Sequence, residues 1–228
     1  MIEFIFMLTH DDATIPEALD VLEQVKHSGL RYIGFKDIGQ PVETLRQVTA
    51  GAHAAGLEVM LEVVSTSVQS ELRSVSAAKQ IGVDWVLGGT NSDQAAPLLH
   101  GTEIRYCPFP GTVVGHPSIL EGEPAEIAAH AAAMTARDDV HGVDLLAYRH
   151  QGTDPVALTR EVVAACRGPV IVAGSITSFE QIRAVAAAGA WGFTIGGAIF
   201  EGKLPGAPSV PAQVAAVLDA CSEATIGS

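Results

Sequence analysis

The chain has 228 residues and a formal net charge of −13, from 26 acidic and 13 basic side chains. So negative a surface lacks the basic footprint needed to displace counterions from nucleic acid or anionic lipid, which excludes both as partners. No run approaches the ~18 consecutive apolar residues of a membrane span, and the apolar start, Met1 to Thr9, is short and without a basic flank, so a soluble chain is expected.

The three cysteines, Cys107, Cys166 and Cys221, are far apart and odd in number. They form neither a metal-binding pair nor a disulfide framework, and a reducing cytoplasm follows as the expected location. Short β-rich runs alternate with helical patterns from end to end. Strands are predicted over 3–9, 31–36, 58–64, 84–88, 103–107, 142–147, 169–173 and 192–196. Among the helices between them, 14–28 has Thr14, Pro16 and Glu17 at its start. A second, 41–55, opens on Pro41 and stops at Gly56, and a third, 178–188, is capped by Ser178 and stopped by Gly189.

Eight such units, with no linker or low-complexity segment, predict one α/β domain over 1–228, a closed (β/α)8 barrel of the TIM type. An open doubly wound sheet is the structural alternative. The stretch 108–120 holds three prolines and two glycines and reads as a loop over the barrel mouth, either a lid or a plain connection. An internal echo links Gly82-Val-Asp-Trp-Val-Leu-Gly-Gly89-Thr90 with Gly189-Ala-Trp-Gly-Phe-Thr-Ile-Gly196-Gly197, and 65–67 with 174–178, suggesting two related halves.

The most informative segments are those ending in Gly174-Ser175 and Gly196-Gly197. In each a buried strand gives way to small residues that let backbone approach an oxyanion, and Gly197 leads into a short helix with free N–H groups. The loops after strands seven and eight are where barrels of this kind hold phosphate. A phosphate site in the C-terminal half, built from Gly174, Ser175, Gly196 and Gly197, is therefore expected. Thr90, Arg149 and His10 are further candidates for contact with substrate.

From 142 to 203 the chain resembles the histidine-biosynthesis ribotide isomerases of the ribulose-phosphate-binding barrel superfamily. The resemblance rests on Val143-Asp144-Leu145, Gly152-Thr153, Leu158-Thr-Arg-Glu161, Gly174-Ser-Ile-Thr-Ser178 and Gly197-Ala-Ile-Phe-Glu-Gly-Lys203. It implies the barrel and a phosphate site. It does not carry the chemistry, because the family's pair of catalytic aspartates, on strands one and five, is missing. Strand one here ends in Thr9-His10 and strand five in Tyr106-Cys107-Pro108. Strand three ends in Glu62 and a Val-Val-Ser-Thr-Ser67 turn where the family has a second glycine-rich phosphate grip, so a smaller, mono-phosphorylated substrate is implied.

Reactive groups in a barrel come from several strand ends. Lys36, at the end of strand two, can carry a proton, act as a Schiff-base nucleophile or anchor an anion; a salt bridge to Asp37 or Glu62 is the structural reading. Glu62 on the neighbouring strand is the natural second acid or base, and Asp144 on strand six a third. His10 and His116 are candidate proton shuttles, and Tyr148-Arg149 can receive an anion. The spacing of His10, Asp11, Asp12 and Glu62 matches no metal-ligand pattern, and neither metal nor cofactor is expected.

Three readings stand side by side. One is a phosphosugar isomerase or epimerase using Lys36, Glu62 and Asp144; the second is a Schiff-base aldolase or lyase through Lys36; the third is a non-catalytic phosphometabolite-binding barrel. Monomer and homo-oligomer are both compatible with the sequence.

Overall fold

A computed structural model describes residues 2–65 and 67–226. Met1, and Thr66 in the 65–67 turn of the internal echo, lie outside the described residues. The eight predicted strands are present as β1 (Glu3–Met7), β2 (Tyr32–Lys36), β3 (Glu58–Val63), β4 (Trp85–Gly88), β5 (Arg105–Cys107), β6 (Val143–Leu145), β7 (Val170–Val172) and β8 (Gly192–Ile195). They form one parallel sheet in the order β6-β7-β8-β1-β2-β3-β4-β5. The remaining edge, between β5 and β6, closes through isolated hydrogen bonds. His141 N–H donates to Tyr106 O at 2.8 Å and Asp144 N–H to Pro108 O at 3.0 Å. The chain is a (β/α)8 barrel.

The helices outside it are α1 (Ala18–Val25), α2 (Val42–Ala54), α3 (Val68–Ile81), α4 (Ser92–Ala95), α5 (Pro124–Thr135), α6 (Pro155–Ala165), α7 (Phe179–Ala187), α8 (Gly197–Phe200) and α9 (Val210–Ile226). Ser178 and Gln181 form a reciprocal capping box at the start of α7, and Gly56 and Gly189 take the left-handed φ of +81° and +89° just past their helices. Among the described residues no helix is long and apolar enough to cross a membrane.

Side chains alternate across the strands, so two apolar layers form. Phe6, Ile33, Leu61, Val86, Tyr106 and Phe193 face the helices. Ile5, Met7, Met60, Leu87, Cys107 and Ile171 fill the barrel. Below them Tyr32 and Trp85 each pack on Trp191 with ring centroids 5.3 Å apart, making an aromatic floor. The open end is therefore the C-terminal end of the strands.

Two sequence expectations need correcting. The segment 14–28 does not start as helix: Thr9–His10 and Ala13–Thr14 pair as an antiparallel hairpin, and α1 begins at Ala18. Thr14 is better used there, because its hydroxyl donates to Lys36 O at 2.8 Å and accepts Lys36 N–H at 2.9 Å. The stretch 108–120 is also not all loop. Thr112–Val114 and Ile119–Glu121 form a second hairpin, since Val113 and Leu120 find partners across the Gly115–Ser118 turn.

Gly142 sits at the closing edge, where an added Cβ would run into Pro169 O and come within 2.8 Å of Pro169 Cγ and 3.1 Å of Cys107 Sγ. Gly142→Ala is expected to lower stability by about 1–3 kcal/mol in urea unfolding, as overpacking does. An unchanged midpoint would show that the closure yields.

Candidate active site

A hollow of about 420 Å3 opens at the C-terminal end of the barrel, lined on one side by small residues after β7 and β8 and on the other by charged side chains. On the first side Gly174 and Ser175 both have left-handed φ, +76° and +61°. Gly196 cannot take a side chain, because a Cβ would lie 2.5 Å from Thr9 Oγ1 and 2.7 Å from Thr9 O. Gly197 and Ala198 open α8 and line the hollow; first-turn N–H groups have no partner within their own helix. His10 stands beside them, its Nε2 3.1 Å from Glu201 Oε1, and Lys203 pairs with the same carboxylate.

The opposite side is organised by Asp12. Its hairpin turn puts both Asp11 and Asp12 at positive φ, +47° and +61°, the backbone of a two-residue type I′ turn that aspartate tolerates. The turn points Asp11 outward and Asp12 inward, where its side chain is only 5% exposed. Arg149 grips it with both amino groups, Nη1 to Oδ2 at 3.1 Å and Nη2 to Oδ1 at 3.0 Å, and Lys36 Nζ donates to Oδ1. Burial works against this carboxylate, but the hydrogen bonds and charges of Arg149 and Lys36 outweigh it and hold its pKa far below the ordinary range. Asp12 is charged. Arg149 reaches it by lying across Gly174, where any Cβ would strike the guanidinium Nε.

Glu62 and Asp144 behave in the opposite way. Glu62 faces Lys36 across the β2–β3 register, with Oε1 3.6 Å from Nζ. Burial raises its pKa; Lys36 partly offsets that, and the charge of Asp12 adds to it. Asp144 is fully buried inside the barrel, and neither of its oxygens has a hydrogen-bond partner among the described residues. Burial first, then the charge of Glu62, raises its pKa well above the usual range. One mouth thus holds a carboxylate pinned in its charged form and two carboxyls pushed toward protonation.

Of the residues singled out from sequence, His10, Lys36, Glu62, Arg149, Gly174, Ser175, Gly196 and Gly197 line this hollow. Asp144 lies in the barrel beneath it, close enough to feel the charges of Glu62 and Lys36. His116 arrives at the rim on the second hairpin, its Nδ1 4.0 Å from Asp12. Thr90 is not there: it lines a separate hollow and donates its backbone N–H to Glu71 at 3.1 Å. Tyr106 faces the helix layer, and Tyr148 lies outside the hollow. Lys36 pairs with Asp12 and Glu62, not with Asp37. Burial raises the pKa of all three thiols, that of Cys221 to about 12, which keeps them protonated. Among the described residues no three His, Cys, Asp or Glu side chains gather as a metal site. The residue that sequence reading weighed only as a metal ligand, and so missed as the centre of the site, is Asp12. Its signal was an Asp-Asp pair between Thr-His and Ala-Thr, a turn that a helix reading of 14–28 concealed.

No family model matches the sequence. Among curated proteins the chain is 26% identical over 211 residues to the 1-(5-phosphoribosyl)-5-((5-phosphoribosylamino)methylideneamino)imidazole-4-carboxamide isomerase of Myxococcus xanthus (strain DK1622), covering 83% of this chain and 84% of that one. It is 29% identical over 179 residues to the isomerase of the same name from Halobacterium salinarum, covering 68% and 69%. Among solved structures, orotidine 5'-phosphate decarboxylase from Pyrococcus horikoshii OT3 superposes with a TM-score of 0.68 at 15% identity, over 96% of this chain and 99% of that one. The structural likeness establishes the barrel. The sequence likeness bears out the resemblance to the ribotide isomerases of the ribulose-phosphate-binding barrels, and these curated relatives are isomerases.

The raised pKa of Asp144 has a sign that can be checked. Above the unfolded value near 4 the folded state holds a proton that the unfolded state has lost, so stability falls as pH rises through that window. Asp144→Asn removes the titration, and the difference in urea-unfolding free energy between variant and parent is expected to grow from pH 4 to pH 8, reaching about 1–3 kcal/mol in favour of the variant. A difference independent of pH would rule out a buried protonated carboxyl at this position.

Proposed function

We propose that this chain is an isomerase or epimerase that shifts a proton on a carbon next to a carbonyl in a small substrate carrying one phosphate. The observation that carries the proposal is the meeting, in one hollow, of a glycine-lined wall at the start of α8 and a charged set in which Asp12 is ionised while Glu62 tends to hold its proton. Environments that push carboxyl pKa values apart are how one site obtains both a proton acceptor and a donor.

The phosphate is assigned to Gly174, Ser175, Gly196 and Gly197, with His10 and Lys203 beside it. This anchor leaves the carbonyl end of the substrate over Lys36. Deprotonated Glu62 takes the proton from the carbon, and the electron pair moves onto the carbonyl oxygen as an enediolate. The Lys36 ammonium lies where that oxyanion would develop, and stabilisation of this kind commonly supplies several kcal/mol. A protonated carboxyl, Glu62 or Asp144, then returns a proton to carbon. Return to the same carbon from the other face gives an epimer; return to the former carbonyl carbon, with the hydroxyl proton passing to the other oxygen, gives an isomer.

The isomerase names of the relatives agree with this class. Those names contain two phosphoribosyl groups, whereas among the described residues one glycine-lined wall faces this hollow. The Schiff-base reading is less well supported, because Lys36 Nζ is clasped by Asp12 with Glu62 at 3.6 Å and has little open face for attack on a carbonyl. Borohydride treatment with keto-sugar phosphates is accordingly expected to trap no adduct on Lys36.

A thermal-shift panel of phosphorylated sugars identifies the substrate, since a ligand raises melting temperature by mass action. On that substrate Lys36→Ala and Glu62→Gln are expected to lower kcat at least about 100-fold with the fold retained. Turnover unaffected in both variants would sink the assignment. Binding across the panel without turnover in the parent would favour the non-catalytic reading.

A further inference from the structure

The N-terminal half of the barrel repeats the architecture of the phosphate wall, yet its donors are already taken. Ser67 caps α3 as Ser178 caps α7, and Gly82 ends α3 in the left-handed region, φ +84°, as Gly189 follows α7 at +89°. Gly89 then follows β4 as Gly196 follows β8. In the C-terminal half the next backbone groups, at Gly197 and Ala198, line the hollow. Their counterparts at Thr90 and Asn91 donate to the Glu71 carboxylate at 3.1 and 2.9 Å. Asn91 Nδ2 adds a bond of 2.7 Å and the Thr90 hydroxyl one of 3.5 Å.

Glu71 is 1% exposed and lies four residues after Ser67; four residues after Ser178 stands Ile182, apolar and fully buried. Gly89 fits the same picture, because a Cβ there would lie 2.6 Å from Glu71 Oε1. The turn after β3 is treated likewise. Asp37 accepts Val64 N–H at 2.9 Å, the Ser65 hydroxyl, and the Ser74 hydroxyl at 2.7 Å. Seven donors that converge at these two turns are thus satisfied by two carboxylates belonging to the chain itself.

We infer that the N-terminal half contains a second anion-binding turn closed from within, with Glu71 and Asp37 in the place of the anion, and that these two residues restrict the substrate to a single phosphate. This inference rests on the phosphate assignment made above for the C-terminal half. A second phosphate brought to these strand ends would meet two carboxylates that already hold the donors named above, at the reduced screening of a protein interior. The hollow beside them, about 290 Å3, is walled by Val64, Phe109 and Val113 with the hydroxyls of Ser65, Thr90 and Ser118, which suits the uncharged end of a substrate.

The test uses inorganic phosphate as the probe and the full chain. Melting temperature is measured in phosphate and in chloride at equal ionic strength for the parent, Glu71→Ala, Glu71→Ser, and each of these combined with Gly197→Asp, which puts a charge into the C-terminal wall. Glu71→Ala and Glu71→Ser are expected to gain a phosphate-dependent rise on the order of 3–5 °C beyond that of the parent, and to keep it when Gly197→Asp is added. Because the readout is the difference between two anions within one variant, a general loss of stability does not imitate it. A phosphate response in both Glu71 variants equal to the parent's overturns the inference, as does failure of both to fold in either buffer. A parent with no phosphate response to be abolished by Gly197→Asp would instead remove the C-terminal assignment, while the Glu71 variants still report on the closed turn.

Discussion

A carboxylate held almost out of water by two cations is the interaction around which the mouth is arranged. Asp12 comes from the hairpin after β1, Lys36 from the end of β2 and Arg149 from the segment after β6, so the cluster exists only when the barrel is complete. Desolvating three charges is expensive, and the mutual attraction repays it only while all three are present; removing one member of such a buried set typically costs about 3–5 kcal/mol. The neighbouring choices follow from that arrangement. Thr14 fixes the backbone of Lys36 through two hydrogen bonds, and Gly174 is the residue on which the Arg149 side chain can rest. Chemistry and local architecture are here the same constraint.

The cluster also sets the electrical character of its surroundings. The positive charges that keep Asp12 ionised are largely spent on it, so Glu62 and Asp144 feel burial more strongly than attraction, and their pKa values move up. Carboxyl groups within one mouth are thereby driven apart, Asp12 toward the charged form and Glu62 and Asp144 toward the protonated one. The glycine-lined wall stands across from them.

Much of the fold was legible because its signals are local. Each of the eight strands lies within the segment marked out for it by apolar β-branched runs, and Pro41, Gly56, Ser178 and Gly189 flank their helices as expected. The glycine pairs were legible for a related reason, since a small residue at a strand end has few other uses. What could not be read was orientation. Asp12 and Asp11 are indistinguishable in sequence, and only the left-handed turn sends one inward and the other to solvent. Thr90 was a candidate because it follows the end of a strand, but the residue that decides its role, Glu71, lies nineteen positions earlier on another element. Tyr106 faces the helices because strand parity assigns it there, and parity is set by pairing partners far along the chain.

The edge between β5 and β6 gives the barrel a property that a fully laddered sheet would lack. Around the rest of the circumference strands are zipped by continuous registers, whereas here a handful of bonds, among them Asp144 N–H to Pro108 O, hold the ring shut. The same residue contributes the most deeply buried acid of the mouth, so the clasp of the ring and its proton-holding group are joined through one α-carbon. Pro108 in turn leads directly into the hairpin that carries His116 over the opening. The edge held by the fewest backbone bonds and the hairpin at the mouth therefore share one short stretch of chain, from Pro108 to Glu121.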